Sequence, residues 1–138
     1  MEIRIFDKIN TDARYIRNTV FIEEQGFERE YDEIDSFATH IVIYDGTAAL
    51  GTCSVFFDEA LGCYHTGRIA VLKEHRGKGL GRLLVTEAEK VAKSKGGKDI
   101  YIGGQVRVSD FYVKLGYTPY GEVYMDEGVP HIGLNKSL

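Results

Sequence analysis

Gly67-Arg68-Ile69-Ala70-Val71-Leu72-Lys73-Glu74-His75-Arg76-Gly77-Lys78-Gly79-Leu80-Gly81-Arg82-Leu83-Leu84 is the stretch that decides the fold of this chain. It opens as a short apolar strand, passes through a glycine- and cation-rich turn, and leaves as a helix. Gly77, Gly79 and Gly81 have no Cβ, so the backbone can lie close to a ligand there. The first amides of the following helix have no intrahelical partner and stand at the positive end of its dipole. Arg76, Lys78 and Arg82 add full charges at the same place. Together these features describe a cradle for a phosphate group. The residues beyond the turn support the helix. Leu83, Leu84, Ala88, Val91 and Ala92 recur at helical spacing, while Glu87, Glu89, Lys90 and Lys93 fall largely on the other side. Gly96-Gly97 is the natural stop.

Two familiar phosphate loops do not fit. A Walker A loop needs a hydroxyl after its lysine, and Lys78 is followed by Gly79. A dinucleotide fingerprint spaces its glycines differently and sits early in a βαβ unit. A glycine-rich surface turn with basic neighbours is the plain alternative. The pattern that does fit is Arg-x-x-Gly-x-Gly, carried by Arg76, Gly79 and Gly81 and preceded by Arg68-Ile69-Ala70-Val71. It resembles the acetyl-coenzyme A motif of the GCN5-related N-acetyltransferases (GNAT). Phe111-Tyr112-Val113-Lys114-Leu115-Gly116-Tyr117 is similar to that family's second signature, Tyr-x-x-x-Gly-Phe/Tyr, at the separation the family requires. Val20-Phe21-Ile22-Glu23-Glu24-Gln25 and Gly128-Val129-Pro130-His131-Ile132-Gly133 resemble the small bacterial ElaA/YjcF-like branch.

The whole chain bounds the answer. Its 138 residues suit one domain, 1–138, with a sizeable core. The net charge of −4 offers no basic footprint for nucleic acid. Two cysteines, Cys53 and Cys63, are too few for a disulfide framework and point to a reducing compartment. No apolar run approaches membrane-spanning length, and the start does not resemble a signal peptide. Cytoplasm is the expected location.

In chain order, Glu2–Phe6 alternates as a strand, and Asn10-Thr11-Asp12 caps a helix running to about Glu23. Residues 23–35 are strongly acidic and read either as a solvated loop or as a collar that attracts an ammonium group. Thr39–Tyr44, the Asp45-Gly46 turn and Ala48–Asp58 form a hairpin, with Cys53 as a small core residue. Gly62–Leu72 is a strand leading into the anion turn. Lys98–Gly103 follows the long helix as a parallel neighbour of that strand. Val108–Leu115 is a short helix, and Tyr117–Met125 and His131–Asn135 are the last strands. His65 and His75 read as surface residues. The fold class is α/β: a mixed, mostly antiparallel sheet of six or seven strands with helices on both faces.

The resemblance implies an acetyl-coenzyme A-dependent N-acetyltransferase that acts by direct attack of an amine on the thioester. A non-catalytic coenzyme A-binding sensor or interaction module of the same fold is the alternative. Implied cofactor contacts are Ile69, Ala70, Val71, Arg76, Gly77, Lys78, Gly79, Leu80, Gly81, Arg82, Gln105 and Tyr112, with a bulge where the strand through Ile69 splays from its neighbour. Tyr112 matches the family's general acid. Acceptor-side residues carried over are Glu23, Glu24, Gln25, Asp35, His40 and His131. An alkyl ammonium near ~10.4 costs roughly 4–5 kcal/mol to neutralise at pH 7, so a base is expected. The strand before the second signature has no carboxylate, which leaves Glu24 and His131, then His40, as candidates. The acceptor is expected to be a small-molecule or peptide amine. No metal, nucleic acid or membrane is expected, and the assembly is either a monomer or a homodimer.

Overall fold

The computed structural model describes residues 1–27 and 32–138. Part of the acidic collar, Glu28, Arg29 and Glu30, therefore lies outside the described residues. The elements are β1 (Glu2–Phe6), α1 (Thr11–Arg17, continued by a π-helical turn over Asn18–Glu24), β2 (Thr39–Asp45), β3 (Ala48–Asp58), β4 (Cys63–Val71), α2 (Leu80–Ser94), β5 (Asp99–Gln105), α3 (Ser109–Lys114), β6 (Thr118–Asp126) and β7 (Val129–Ser137). One seven-stranded sheet runs in the order β1-β2-β3-β4-β5-β7-β6. Every neighbouring pair is antiparallel except β4 and β5. Among the described residues, no helix is long and apolar enough to cross a membrane.

The period of two along β2 divides the core. Ile41 and Ile43 face α2 and join Leu84, Val85, Ala88, Ile100, Ile102 and Tyr112. Val42 and Tyr44 face the opposite way and join Ala13, Ile16, Val20 and Phe21 of α1. A strand buried on both faces reads as a continuous apolar run, as Ile41-Val42-Ile43 does. Leu84, Ile41, Ile43 and Ile16 are all 0% exposed. Each such side chain contributes about 1.5–3 kcal/mol by leaving water.

Two irregularities shape the site. The first is in β4. Thr52 pairs with Ala70 and Ser54 with Gly67, so β4 spends an extra residue over this interval. Arg68 sits inside this bulge with φ 50°, a conformation unusual for a residue with a Cβ. The bulge turns β4 away from β5, and the parallel ladder between them covers only Tyr64–Thr66 with Ile100–Ile102. The second is in α1. The sequence spacing suggests one regular helix to about Glu23, whereas the chain widens into a π turn from Asn18. This turn brings Phe21 onto Phe27, ring centroids 5.9 Å apart, and aims Glu24 and Gln25 at the split.

Candidate active site

Beyond Thr66 the diverging strands open into a cleft of about 520 Å³. Gly67–Val71 form one wall and Ile102–Gln105 the other. The anion turn closes one end. Gly77 and Gly79 have φ of 79° and 80°, left-handed values that a side chain would strain. Gly79 is the N-cap of α2 and has no side chain to cap it, so the amides of Leu80, Gly81 and Arg82 remain available to an anion. Among the described cleft-lining side chains, Arg68, Arg76, Arg82 and Arg107 oppose Glu24 and Asp126, a balance that favours an anionic ligand.

Tyr112 lies on the floor of the cleft, 7% exposed. Its ring lies flat against β5 because position 104 is glycine; a Cβ there would come within 2.8 Å of the ring. Phe111 and Tyr117 pack edge-on against it. Burial, reinforced by the Cys53 thiol, pushes the Tyr112 phenol up to about 12. Among the described residues the structure shows no hydrogen-bond partner for this hydroxyl. Cys53 itself is 1% exposed, and burial pushes its thiol up to about 12, which suits an inert core residue.

His131 enters from β7, where it pairs with Gln105 of β5 on one side and Tyr124 of β6 on the other. It is 7% exposed and stacks on Tyr124 with centroids 5.7 Å apart. Its Nδ1 lies 2.8 Å from the Val129 carbonyl. A carbonyl only accepts, so Nδ1 carries a proton, and in the neutral form of the ring the lone pair is on Nε2.

The remaining expected residues divide. Ile69, Ala70, Val71, Arg76, Gly77, Gly79, Leu80, Gly81, Arg82 and Gln105 all line the cleft with Tyr112. Lys78 is exposed and does not line it. Glu24 and Gln25 line the cleft, as His131 does. Arg76 donates to both Glu24 carboxylate oxygens, at 2.7 and 2.9 Å. Those bonds hold the Glu24 carboxyl below its usual range, which weakens it as a proton acceptor. Three expected acceptor-side residues lie elsewhere. Glu23 is exposed outside the cleft lining. Asp35 turns inward to Arg17, at 2.8 and 3.1 Å. Arg17 is 1% exposed, and this charge needs a partner. His40 is 0% exposed behind that pair, with Nε2 on the Asp35 carbonyl at 3.2 Å. Its Nδ1 is buried with no partner among the described residues.

Two histidines expected on the surface also differ. His65 lies between Phe56 and Tyr101, each 4.8 Å from its ring, with Nδ1 3.1 Å from Asp58. His75 lines the cleft. Sequence reasoning missed Phe21, Phe27, Arg107, Phe111 and Asp126 as lining residues. Phe21 and Phe111 lie inside the two stretches that carry the resemblance, whereas nothing local marks Phe27, Arg107 and Asp126, which meet the others only when the sheet forms.

The family model described as "Acetyltransferase (GNAT) family" matches residues 4–117. The chain belongs to the GNAT family. YjcF of Bacillus subtilis (strain 168), named an uncharacterized N-acetyltransferase, is 35% identical over 128 residues, covering 91% of this chain and 90% of that protein. ElaA of Escherichia coli (strain K12) is 27% identical, covering 89% of this chain and 84% of that protein. The crystal structure of Escherichia coli ElaA shares the fold with a TM-score of 0.87 at 23% identity, covering 98% of both chains. An aminoglycoside 6'-N-acetyltransferase complexed with coenzyme A shares it with a TM-score of 0.76 at 18% identity, covering 99% of this chain and 97% of that one. The protein is an acetyl-CoA-dependent acetyltransferase of this GNAT family.

Proposed function

We propose that the protein transfers the acetyl group of acetyl-CoA directly to a primary amine of a small molecule or peptide, with His131 accepting the amine's proton. One observation carries this reading: Tyr112 and the Nε2 lone pair of His131 belong to the same cleft, which opens at its far end onto an anion cradle. The residues present fit acetyl-CoA. The turn at Gly77–Arg82 suits the diphosphate. The β4 edge past Thr66 has no β5 partner and suits the amide-bearing arm, as an added strand would.

Acetyl-CoA supplies an acetyl thioester to this cleft. The amine nitrogen bonds to the acetyl carbon, and the carbon–sulfur bond breaks to leave an amide and a thiolate. His131 Nε2 takes the proton that the nitrogen must lose; imidazole is the side chain suited to that task near neutral pH. Tyr112 faces the departing sulfur. With its phenol near about 12 and a thiol near ~8.5, complete donation would be uphill by about 5 kcal/mol. Tyr112 therefore hydrogen-bonds the developing thiolate and does not surrender its proton outright. Placing the reactants together supplies much of the remaining acceleration.

The test is calorimetric titration with acetyl-CoA, with ATP and NAD as controls, followed by thiol release over a panel of amines. Selective binding and release with one class of amine is expected. Binding without release for every amine overturns the transfer reading. Replacing His131→Asn is expected to lower kcat about 100-fold and to flatten the acidic limb of its pH profile. An intact limb removes His131 as the base.

A further inference from the structure

The parallel ladder between β4 and β5 ends at Thr66 and Ile102, so no strand-to-strand hydrogen bond fixes the spacing of the walls beyond it. Two neighbouring side chains from the end of α1 span that gap. Glu24 receives both terminal nitrogens of Arg76, at 2.7 and 2.9 Å. Arg76 Nε in turn donates to the Val71 carbonyl at 2.9 Å, at the last residue of β4. Gln25 Oε1 accepts from Gln105 Nε2 at 3.0 Å, at the last residue of β5. Gln105 Oε1 accepts from Arg107 Nε at 2.7 Å. One arm thus holds the β4 wall and the anion turn, and the other holds the β5 wall.

We propose that Glu24 and Gln25 form a bracket across the β4–β5 split that sets its width and aims the anion turn at the diphosphate. This rests on reading the split as the acetyl-CoA slot. Glu24 is then a positioning residue acting through Arg76, and Gln25 one acting through Gln105. Arg76 spends its Nε and both terminal nitrogens on the bracket, which leaves the helix amides and Arg82 to meet the phosphates. The Glu24 and Arg76 side chains are 35% and 40% exposed. A pair so open to solvent contributes little to folding. Its bidentate geometry still restricts where the guanidinium can lie. The bracket therefore predicts an effect on cofactor affinity that is separable from stability.

The experiment is steady-state kinetics on Glu24→Gln, Arg76→Gln and the double variant, with thermal melting of each. Both single variants are expected to melt close to wild type and to raise KM for acetyl-CoA about tenfold, with kcat within about threefold. The double variant is expected to be no worse than either single one, because one contact has been removed from both ends. Gln25→Ala and Gln105→Ala are expected to show the same non-additivity with a smaller rise, about threefold. The acidic limb of kcat against pH is expected to persist in Glu24→Gln. Wild-type KM in the single variants, or additive effects in the double, overturns the bracket. A Glu24→Gln variant that loses turnover together with the acidic limb also overturns it, by making Glu24 the base. A wild-type protein that binds no acetyl-CoA removes the slot itself, whereas a wild type that binds beside unaffected variants removes the bracket alone.

Discussion

The two ends of the cleft are built from different materials. The end proposed to take the phosphates is mostly backbone: left-handed Gly77 and Gly79, then the uncapped amides that open α2. All of it comes from one short stretch of chain. The end proposed to take the acceptor is built from side chains: Phe21 and Gln25 from the α1 region, Gln105 from β5, and Asp126 and His131 from the β6–β7 hairpin. These positions span more than a hundred residues of sequence, and the sheet register brings them together. A backbone site is fragile to any side chain placed in it. A side-chain site depends on whatever anchors the elements that carry it.

Placing a side chain in the backbone end gives the largest expected effect. Gly79→Glu puts a Cβ on a left-handed residue at φ 80° and a negative charge where the diphosphate would lie. Acetyl-CoA affinity is expected to fall at least about a thousand-fold by calorimetry, as steric, conformational and charge effects combine. Unchanged affinity breaks the assignment of this end.

Removing an anchor of the acceptor end comes next. Asp35→Asn removes the carboxylate charge to which Arg17, 1% exposed, donates at 2.8 and 3.1 Å. Breaking a buried pair from one side costs about 3–5 kcal/mol, to be read as a lower urea midpoint. If the midpoint holds, the α1 side is anchored by something other than this pair. Tyr112→Phe tests the boundary between the two ends. It keeps the ring packed on Gly104 and removes only the hydroxyl, so kcat is expected to fall about 100-fold with acetyl-CoA binding nearly unchanged. Weaker binding with unchanged kcat reverses that assignment.

The smallest effect concerns pH. Burial, with help from the Arg17 charge, holds His40 below its ordinary value despite the Asp35 carbonyl. A depressed histidine leaves the unfolded chain binding more protons as pH falls past ~6.5. Its contribution to stability is therefore present above that pH and is lost as pH falls through the folded value. Asp35 behaves similarly at lower pH. Burial opposes its ionisation, but the Arg17 hydrogen bonds and charge outweigh this and keep its carboxyl below the usual range. Its contribution is present above ~3.9 and is lost below. Melting temperature is expected to decline from pH 7 to 5 in wild type and to decline less in His40→Gln. His65, also depressed by burial, shifts in the same sense, so the difference between the two proteins is the informative quantity. Parallel curves remove His40 from the account.

Strand positions were legible wherever alternation or turn chemistry acts over a few residues. Thr39–Asp45 and Ala48–Asp58 match the expected hairpin closely. The Asp126-Glu127-Gly128 turn is equally local, with φ of 52° and 72° at its last two residues. The π turn of α1 was not legible. No proline or glycine marks Asn18–Glu24, and the wider turn accompanies the packing of Phe21 on Phe27. Asp35 and His40 show the same limit. An acidic loop and a histidine look available to substrate until Arg17, eighteen residues from Asp35 along the chain, claims one and the core encloses the other.

By itself, the sequence determined the family, the strand and helix order, and the anion turn, because glycine conformation, helix caps and period-two alternation depend on near neighbours. Only the tertiary structure decided which charges are free to act. Glu24, Asp35 and His40 carry no local sign of their partners, since ion pairing and burial depend on residues that meet only across the folded sheet.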